Sequence, residues 1–319
     1  MSAFADKSLR FPEARVHVRA LGDGPPLLLI NGLGGHTGMW EPLERELEGF
    51  RIVEFDLPGA GRSDVPWRPV SIKRLARLAA GVMTKFGMDN ADVLGFSMGG
   101  VVAQQLAADM PERVRRLLLI ATTPGMGAMQ GNTKALLNIM TPLRYMSPAT
   151  YTKTVGTLVG GRARRDDQWI AEQTELRFSR PPSWRGYLGQ MASMAVWTGL
   201  PLLPTIPHPT LVMTGDDDPL TPVVNAKLIT HLLPNGRLQV LPGQGHLMVL
   251  DEQSSANETI RQFLTAEKLE TSTVWKQATT VTDAELKDAL SQVGFQLPPW
   301  SLVNAVARRR WLAPNGQSA

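Results

Sequence analysis

Along most of the chain, short unbroken apolar runs alternate with stretches whose apolar residues recur every three or four positions. The runs at 25–31 (PPLLLIN), 51–55 (RIVEF), 91–96 (ADVLGF), 116–121 (RLLLIA), 210–214 (TLVMT) and 237–241 (RLQVL) have strand length and no regular polar face. Such runs are expected of strands covered on both sides. Helical spacing is expected over about 40–47, 72–86, 99–109, 223–233 and 254–268. Strands alternating with helices in this way predict an α/β fold: a mostly parallel central sheet flanked by helices. Ligands of such sheets bind beyond the carboxyl ends of the strands.

The rhythm stops between residues 124 and 207. This stretch holds Met126, Met129, Met140, Met146, Met191 and Met194 and an even scatter of Tyr and Trp. It reads as helical between prolines, and is expected to form an inserted helical cap over the sheet. Its thioethers and rings suit either packing of the cap on the core or an adaptable apolar pocket. The expected organisation is a core in two parts, 1–123 and 208–268, separated by the cap at 124–207 and followed by an extension at 269–319. That extension carries an amphipathic pattern over 282–293, then Trp300, Arg308, Arg309, Arg310 and Trp311. It reads either as a helical extension packed on the core or as a contact with a polymer granule, an anionic surface or another subunit.

Composition narrows the chemistry. The chain has 319 residues, 43% of them hydrophobic, which is enough for a sizeable core and excludes general disorder. A net charge of +4, mostly scattered, gives no footprint for nucleic acid. Zero Cys removes disulfides, thiolate metal sites and a thiol nucleophile, and the five His include no pair at i, i+4. No metal and no cofactor is expected. The glycine runs at Gly32 and Gly59 fit no dinucleotide fingerprint. The N-terminal residues show no apolar signal segment and no run approaches a membrane span, so a cytoplasmic protein is expected.

The strongest chemical signal is Gly95-Phe96-Ser97-Met98-Gly99-Gly100, lying between a predicted strand and a predicted helix. In that context G-x-S-x-G is a sharp turn that lifts Ser97 out of the sheet, with Gly95 and Gly99 leaving room for the crossing backbones. A serine hydroxyl needs a base. His246 lies in the Gly-rich loop after 237–241, and three aspartates follow 210–214. Asp218, fixed by Pro219, is the expected acid, with Asp216 next. Position 122, the other place for such an acid, holds Thr. His17, His36, His208 and His231 are expected to be structural or solvated. Backbone N–H groups of Met98 and of Leu33, in the loop Asn31-Gly32-Leu33-Gly34-Gly35, are the expected oxyanion donors.

Taken in order, Asn31-Gly32, Phe55-Asp56-Leu57-Pro58-Gly59, the Ser97 turn, Gly215–Pro219 and Gly245-His246 resemble the α/β-hydrolase fold family. The resemblance implies a Ser97–His246–Asp218 triad and a serine hydrolase. Within that superfamily the chain is similar to intracellular medium-chain poly(3-hydroxyalkanoate) depolymerases. The likeness rests on Asn31-Gly32-Leu33-Gly34, Pro111-Glu112-Arg113, Arg165-Asp166, Thr210-Leu211-Val212, Gly215–Leu220 and Gly245-His246-Leu247. It implies an ester or polyester substrate. A small-molecule carboxylesterase or lipase, lactone or C–C bond hydrolysis, perhydrolysis, and a non-catalytic ligand-binding protein are the alternatives. An epoxide hydrolase or dehalogenase needs a carboxylate at position 97, where this chain has Ser.

Overall fold

The structure, a computed structural model, describes residues 5–145 and 147–293. Met146 and the tail residues Trp300, Arg308, Arg309, Arg310 and Trp311 lie outside the described residues. In chain order the elements are β1 (Ala5–Arg10), β2 (Arg15–Leu21), β3 (Pro26–Ile30), α1 (Glu41–Glu46), β4 (Arg51–Phe55), α2 (Ile72–Lys85), β5 (Ala91–Phe96), α3 (Met98–Asp109) and β6 (Val114–Ile120). Four cap helices follow: α4 (Thr133–Ile139), α5 (Pro148–Val159), α6 (Asp167–Ser179) and α7 (Trp184–Ala195). The core resumes with β7 (Thr210–Gly215), α8 (Val223–Leu232), β8 (Gly236–Leu241) and α9 (Ala256–Thr265), and α10 (Thr273–Gln277) and α11 (Asp283–Gln292) complete the described chain.

The eight strands form one sheet in the order β1-β2-β4-β3-β5-β6-β7-β8. From β4 to β8 all pairings are parallel; β1 and β2 add an antiparallel margin, with Leu9 opposite Val16 and Val18 opposite Phe55. The apolar run of β3 shows why the sheet is buried twice. Leu28 and Ile30 join the cluster under α2, α3 and α8, while Leu27 and Leu29 join the opposite cluster with α1 and α9. Successive side chains point to opposite faces, so an uninterrupted apolar run serves two cores.

The chain leaves β3 toward β4 on one side and returns to β5 on the other. Ile30 lies beside Gly95, and Phe96 beside Ile120. The loops after β3 and β5 therefore diverge from neighbouring strand ends, which opens a crevice at the sheet's carboxyl edge.

Each cap helix starts on a side-chain cap: Asn132, Ser147, Asp166 and Ser183 all accept backbone N–H bonds from the first turn. The cap is a set of four short, locally specified helices inserted between β6 and β7. Among the cap methionines, Met126 and Met140 are exposed, whereas Met129, Met191 and Met194 pack against the core.

Two boundaries differ from expectation. β1 has a mostly exposed, polar pattern and is fixed by pairing with β2, so no apolar run announces it. The helix expected over 254–268 spans Ala256–Thr265, and at its C-terminal end the Arg116 guanidinium takes up the free carbonyls, donating from Nη1 to Phe263 (2.6 Å) and Leu264 (3.0 Å) and from Nη2 to Ala266. In the extension, Thr279 bridges Leu238, and α11 sets Leu286, Ala289 and Leu290 into the cluster beside α8. Thr282 and Glu285 start that helix with a reciprocal capping box. No helix among the described residues is long and apolar enough to cross a membrane.

Candidate active site

Ser97 follows β5 directly and adopts φ 54°, ψ −118°, a conformation that costs a non-glycine residue roughly 1–3 kcal/mol. The surroundings over-determine it. Its N–H donates to Ile120 (2.8 Å), and its carbonyl accepts from Gly100 N–H (2.9 Å) and from the Thr122 hydroxyl (2.7 Å). A Cβ on Gly99 would overlap the Ile30 carbonyl, and one on Gly95 would press into Gly99 and Gly100 at 2.5–2.7 Å. The glycines are required because strand and helix backbones meet there. α3 begins at the next residue, so its N-terminal N–H groups surround the serine.

The Ser97 Oγ lies 3.0 Å from His246 Nε2, and His246 Nδ1 lies 2.8 Å from Asp218 Oδ2. Asp218 is itself held: Oδ1 accepts from Leu220 N–H (2.8 Å) and Thr221 N–H (3.1 Å), and Oδ2 accepts from the Thr221 hydroxyl. The three neighbouring aspartates have three separate tasks. Asp216 accepts from Gly243 N–H (2.6 Å), tying down the histidine loop, while Asp217 accepts from Gly161 N–H in the cap (2.7 Å) and pairs with Arg164 (3.0 Å). Only Asp218 faces the imidazole.

The cap also reaches the histidine loop. His246 N–H donates to the Val159 carbonyl at the end of α5 (2.6 Å), and Gly160 and Gly161, both at positive φ, bring the cap backbone against Gly245. The Phe96 ring packs 5.3 Å from the imidazole, centroid to centroid.

The loop after β3 is built around Asn31. Its Oδ1 accepts from Gly32 N–H (2.7 Å) and its Nδ2 donates to the His36 carbonyl (3.0 Å). Gly32 lies against Ser97, where a Cβ would come within 3.1 Å of the serine Cβ. From α7, Gln190 accepts from Gly34 N–H (2.9 Å) and donates to the Pro58 carbonyl (3.1 Å), joining this loop to the turn after β4. Asp56 braces that turn by accepting from Thr37 N–H (2.6 Å) and Arg62 N–H (2.7 Å).

Ser97, His246 and Leu33 line one cavity under the cap, with Ile139, Leu158, Leu220 and Leu247 as its apolar walls. Arg144, Arg177 and Tyr151 line it too. Both arginines are more than nine-tenths buried. Arg177 Nη1 donates to the Tyr145 hydroxyl (2.9 Å), and the Arg144 guanidinium lies over the Tyr145 and Tyr187 rings at 4.6 and 4.9 Å. Burial disfavours both charges, but the surrounding phenolic oxygens outweigh it and keep both guanidinium pKa values above the ordinary one. Burial pushes the Tyr187 phenol up to about 12 and raises Tyr151. Tyr145 is also opposed by burial, yet the two guanidiniums pull it below its usual value.

The other histidines lie elsewhere. Burial pulls His17 and His36 below the usual imidazole value, with His36 Nε2 3.1 Å from the Leu176 carbonyl. His208 is buried, and His231 lies 3.1 Å from Asp283. Sequence reasoning missed Thr122, Thr221, Gln190, Arg144 and Arg177. Thr221, three residues past Asp218, was the one with a local signal: a hydroxyl that can fold back on the preceding carboxylate.

Comparison with known proteins agrees with this geometry. Residues 25–253 match the family described as alpha/beta hydrolase fold. A poly(3-hydroxyalkanoate) depolymerase of Ectopseudomonas oleovorans is 34% identical over 244 residues, 76% of this chain and 85% of the relative. A pimeloyl-[acyl-carrier protein] methyl ester esterase of Nitrosomonas europaea is 29% identical over 250 residues, 73% of this chain and 93% of the relative. The crystal structure of the enol-lactonase from Burkholderia xenovorans LB400 superposes with a TM-score of 0.71 at 22% identity, covering 82% of this chain and all of that one. Matched over most of its length and carrying a hydrogen-bonded Ser97–His246–Asp218 triad at the strained turn after β5, the chain belongs to the alpha/beta-hydrolase fold family and has the catalytic apparatus of a serine hydrolase.

Proposed function

We propose that the protein hydrolyses apolar carboxylic esters through an acyl-enzyme, and that its substrate is a polyester of the poly(3-hydroxyalkanoate) kind. The observation that carries the reading is the triad beneath a cap-covered cavity with Ile139, Leu158, Leu220 and Leu247 in its walls. His246 Nε2 takes the proton of Ser97 as the oxygen attacks the ester carbonyl, then returns it to the leaving alcohol. Asp218 accepts from Nδ1–H, fixing the ring's tautomer and stabilising its charged form. The N–H groups of Leu33 and Met98 receive the oxyanion; Leu33 faces the cavity and Met98 opens α3. Donors of this kind contribute about 2.7–4 kcal/mol each in other enzymes. Water, activated by the same imidazole, then releases the acid. The polyester part of the reading is supported by the 34% identity to the Ectopseudomonas oleovorans depolymerase.

The test uses emulsified medium-chain polyhydroxyalkanoate beside p-nitrophenyl octanoate. Wild-type protein is expected to release hydroxy acids from the first and nitrophenol from the second. Ser97→Ala should reduce kcat on both by about 10⁶, by analogy with another triad enzyme. Turnover of the nitrophenyl ester without any release from the polymer would remove the polyester reading and leave the esterase intact. Undiminished turnover by Ser97→Ala would remove both.

A further inference from the structure

Two arginines in the wall of a catalytic cavity are a costly arrangement unless something answers their charge. A buried guanidinium is tolerated when a carboxylate or comparable anion pairs with it. Every Asp and Glu side chain lies within the described residues, and among those residues none pairs with Arg144 or Arg177. Their polar partners are neutral or shared. Arg144 donates to the Asn138 carbonyl (3.2 Å), approaches the Tyr145 hydroxyl at 3.5 Å and also meets the Tyr187 phenol, and Arg177 donates to the Tyr145 hydroxyl and also meets the Tyr151 phenol. Tyr151 and Tyr187 stay protonated, because burial raises both phenols. Tyr145 is the one phenol drawn toward ionisation. Even as a phenolate it would neutralise one charge of two. The cavity that holds the nucleophile therefore has at least one guanidinium in its wall answered by phenols and aromatic faces and by no Asp or Glu carboxylate.

We propose that this pair binds a carboxylate of the substrate, so that the ester cleaved at Ser97 belongs to a molecule ending in a free acid, such as the carboxyl-terminal unit of a hydroxy-acid oligoester. This rests on the serine ester hydrolase reading and narrows it. Planar guanidinium forks match carboxylates in a bidentate way that an ammonium cannot. The apolar walls hold the aliphatic part and the arginines take the charged end. A polyester is then shortened from its acid terminus, where each cleavage leaves a new carboxylate on the remaining chain.

Two matched substrate pairs test this in the full-length enzyme. One is mono-p-nitrophenyl suberate against p-nitrophenyl octanoate, which places the charge on the acyl side. The other is the free-acid dimer of 3-hydroxyoctanoate against its methyl ester, which places it on the alcohol side. In at least one pair the acid should have a kcat/KM tenfold or more above its neutral partner. Arg144→Gln and Arg177→Gln should each bring that ratio toward one, and Arg177→Lys should restore part of it. Labelling of Ser97 by a fluorophosphonate in each variant establishes that the site is still folded. Equal or better turnover of the neutral member in both wild-type pairs would overturn the proposal, as would an acid preference that survives in both glutamine variants. If wild-type protein turned over neither pair and Ser97 took no label, the hydrolase reading itself would fall and take this proposal with it.

Discussion

Asp218 is the residue at which sequence and structure meet most closely. Three successive aspartates are chemically equivalent as a string, and Pro219 was the sole local reason to prefer the third. The structure separates them by what each backbone position faces: a loop N–H for Asp216, the cap for Asp217, the imidazole for Asp218. Asp218→Asn preserves the shape but presents an amide that cannot hold Nδ1–H as an acceptor in every orientation. By analogy with the corresponding change in another triad, kcat should fall by about 10⁴. Thr221→Val removes one of the bonds that orient the carboxylate, and a bond to a charged acceptor is worth about 1.5–3 kcal/mol, so a loss of about tenfold to a hundredfold is expected. Both should appear in kcat, with the melting temperature lowered by no more than a few degrees. A Thr221→Val enzyme as slow as Asp218→Asn would mean that the hydroxyl takes part in more than orientation. The buried arginines mark the opposite limit of legibility. Arg177 and the half-buried Arg180 sit three positions apart in one sequence, and only the folded cap decides which of them is sealed in.

At the scale of elements, the core strands and helices were readable because each satisfies a local rule. Runs such as PLLLI are apolar on both faces, and α2 repeats Ile72, Leu75, Ala76, Ala79, Val82 and Met83 along one side. β1 obeys no such rule, being made by its partner strand. The cap is intermediate: its N-caps are local, whereas its placement on the histidine loop depends on Gly160 and Gly161. Gly161 combines φ 56° with a position where a Cβ would overlap the Gly245 amide. Gly161→Ala should therefore push the end of α5 away from the loop and loosen the Val159–His246 bond. The expected outcome is a fall in kcat on the order of tenfold with the far-ultraviolet circular dichroism of the wild type, because the strained left-handed conformation and the clash fall on one turn. Wild-type turnover in that variant would show that the cap's grip on the loop is dispensable.

For the whole molecule, a buried charged cluster on β2, β4 and α1 makes stability depend on pH. Glu54 on β4 is fully buried, and Glu44 of α1 is close by, with one guanidinium, Arg19, 2.9 Å from Glu54 and 3.0 Å from Glu44. One cation cannot neutralise two carboxylates. Burial first, and then the mutual repulsion of the two acids, holds Glu54 well above the usual carboxylate range, and burial raises Glu44 as well. The sign follows from linkage. A carboxyl whose folded-state pKa is raised contributes stability fully below its unfolded value, near 4.3 for Glu, and that contribution is lost as the pH climbs through the raised value. The protein should accordingly be less stable in mildly alkaline buffer than near pH 5 on account of this pair. Glu54→Gln keeps the shape and the hydrogen-bonding capacity and removes the titration. The variant should melt close to the wild type at pH 5 and above it at pH 8, by about one to two degrees if about 1 kcal/mol is recovered. An equal shift at both pH values would assign the effect to packing, and a lower melting temperature at pH 8 would mean that the ionised Glu54–Arg19 contact outweighs the cost of burying it. Ser97 follows β5, two strands across from β4, and Glu54 bonds to none of the triad, so esterase activity measured below the melting range should be the same in both proteins.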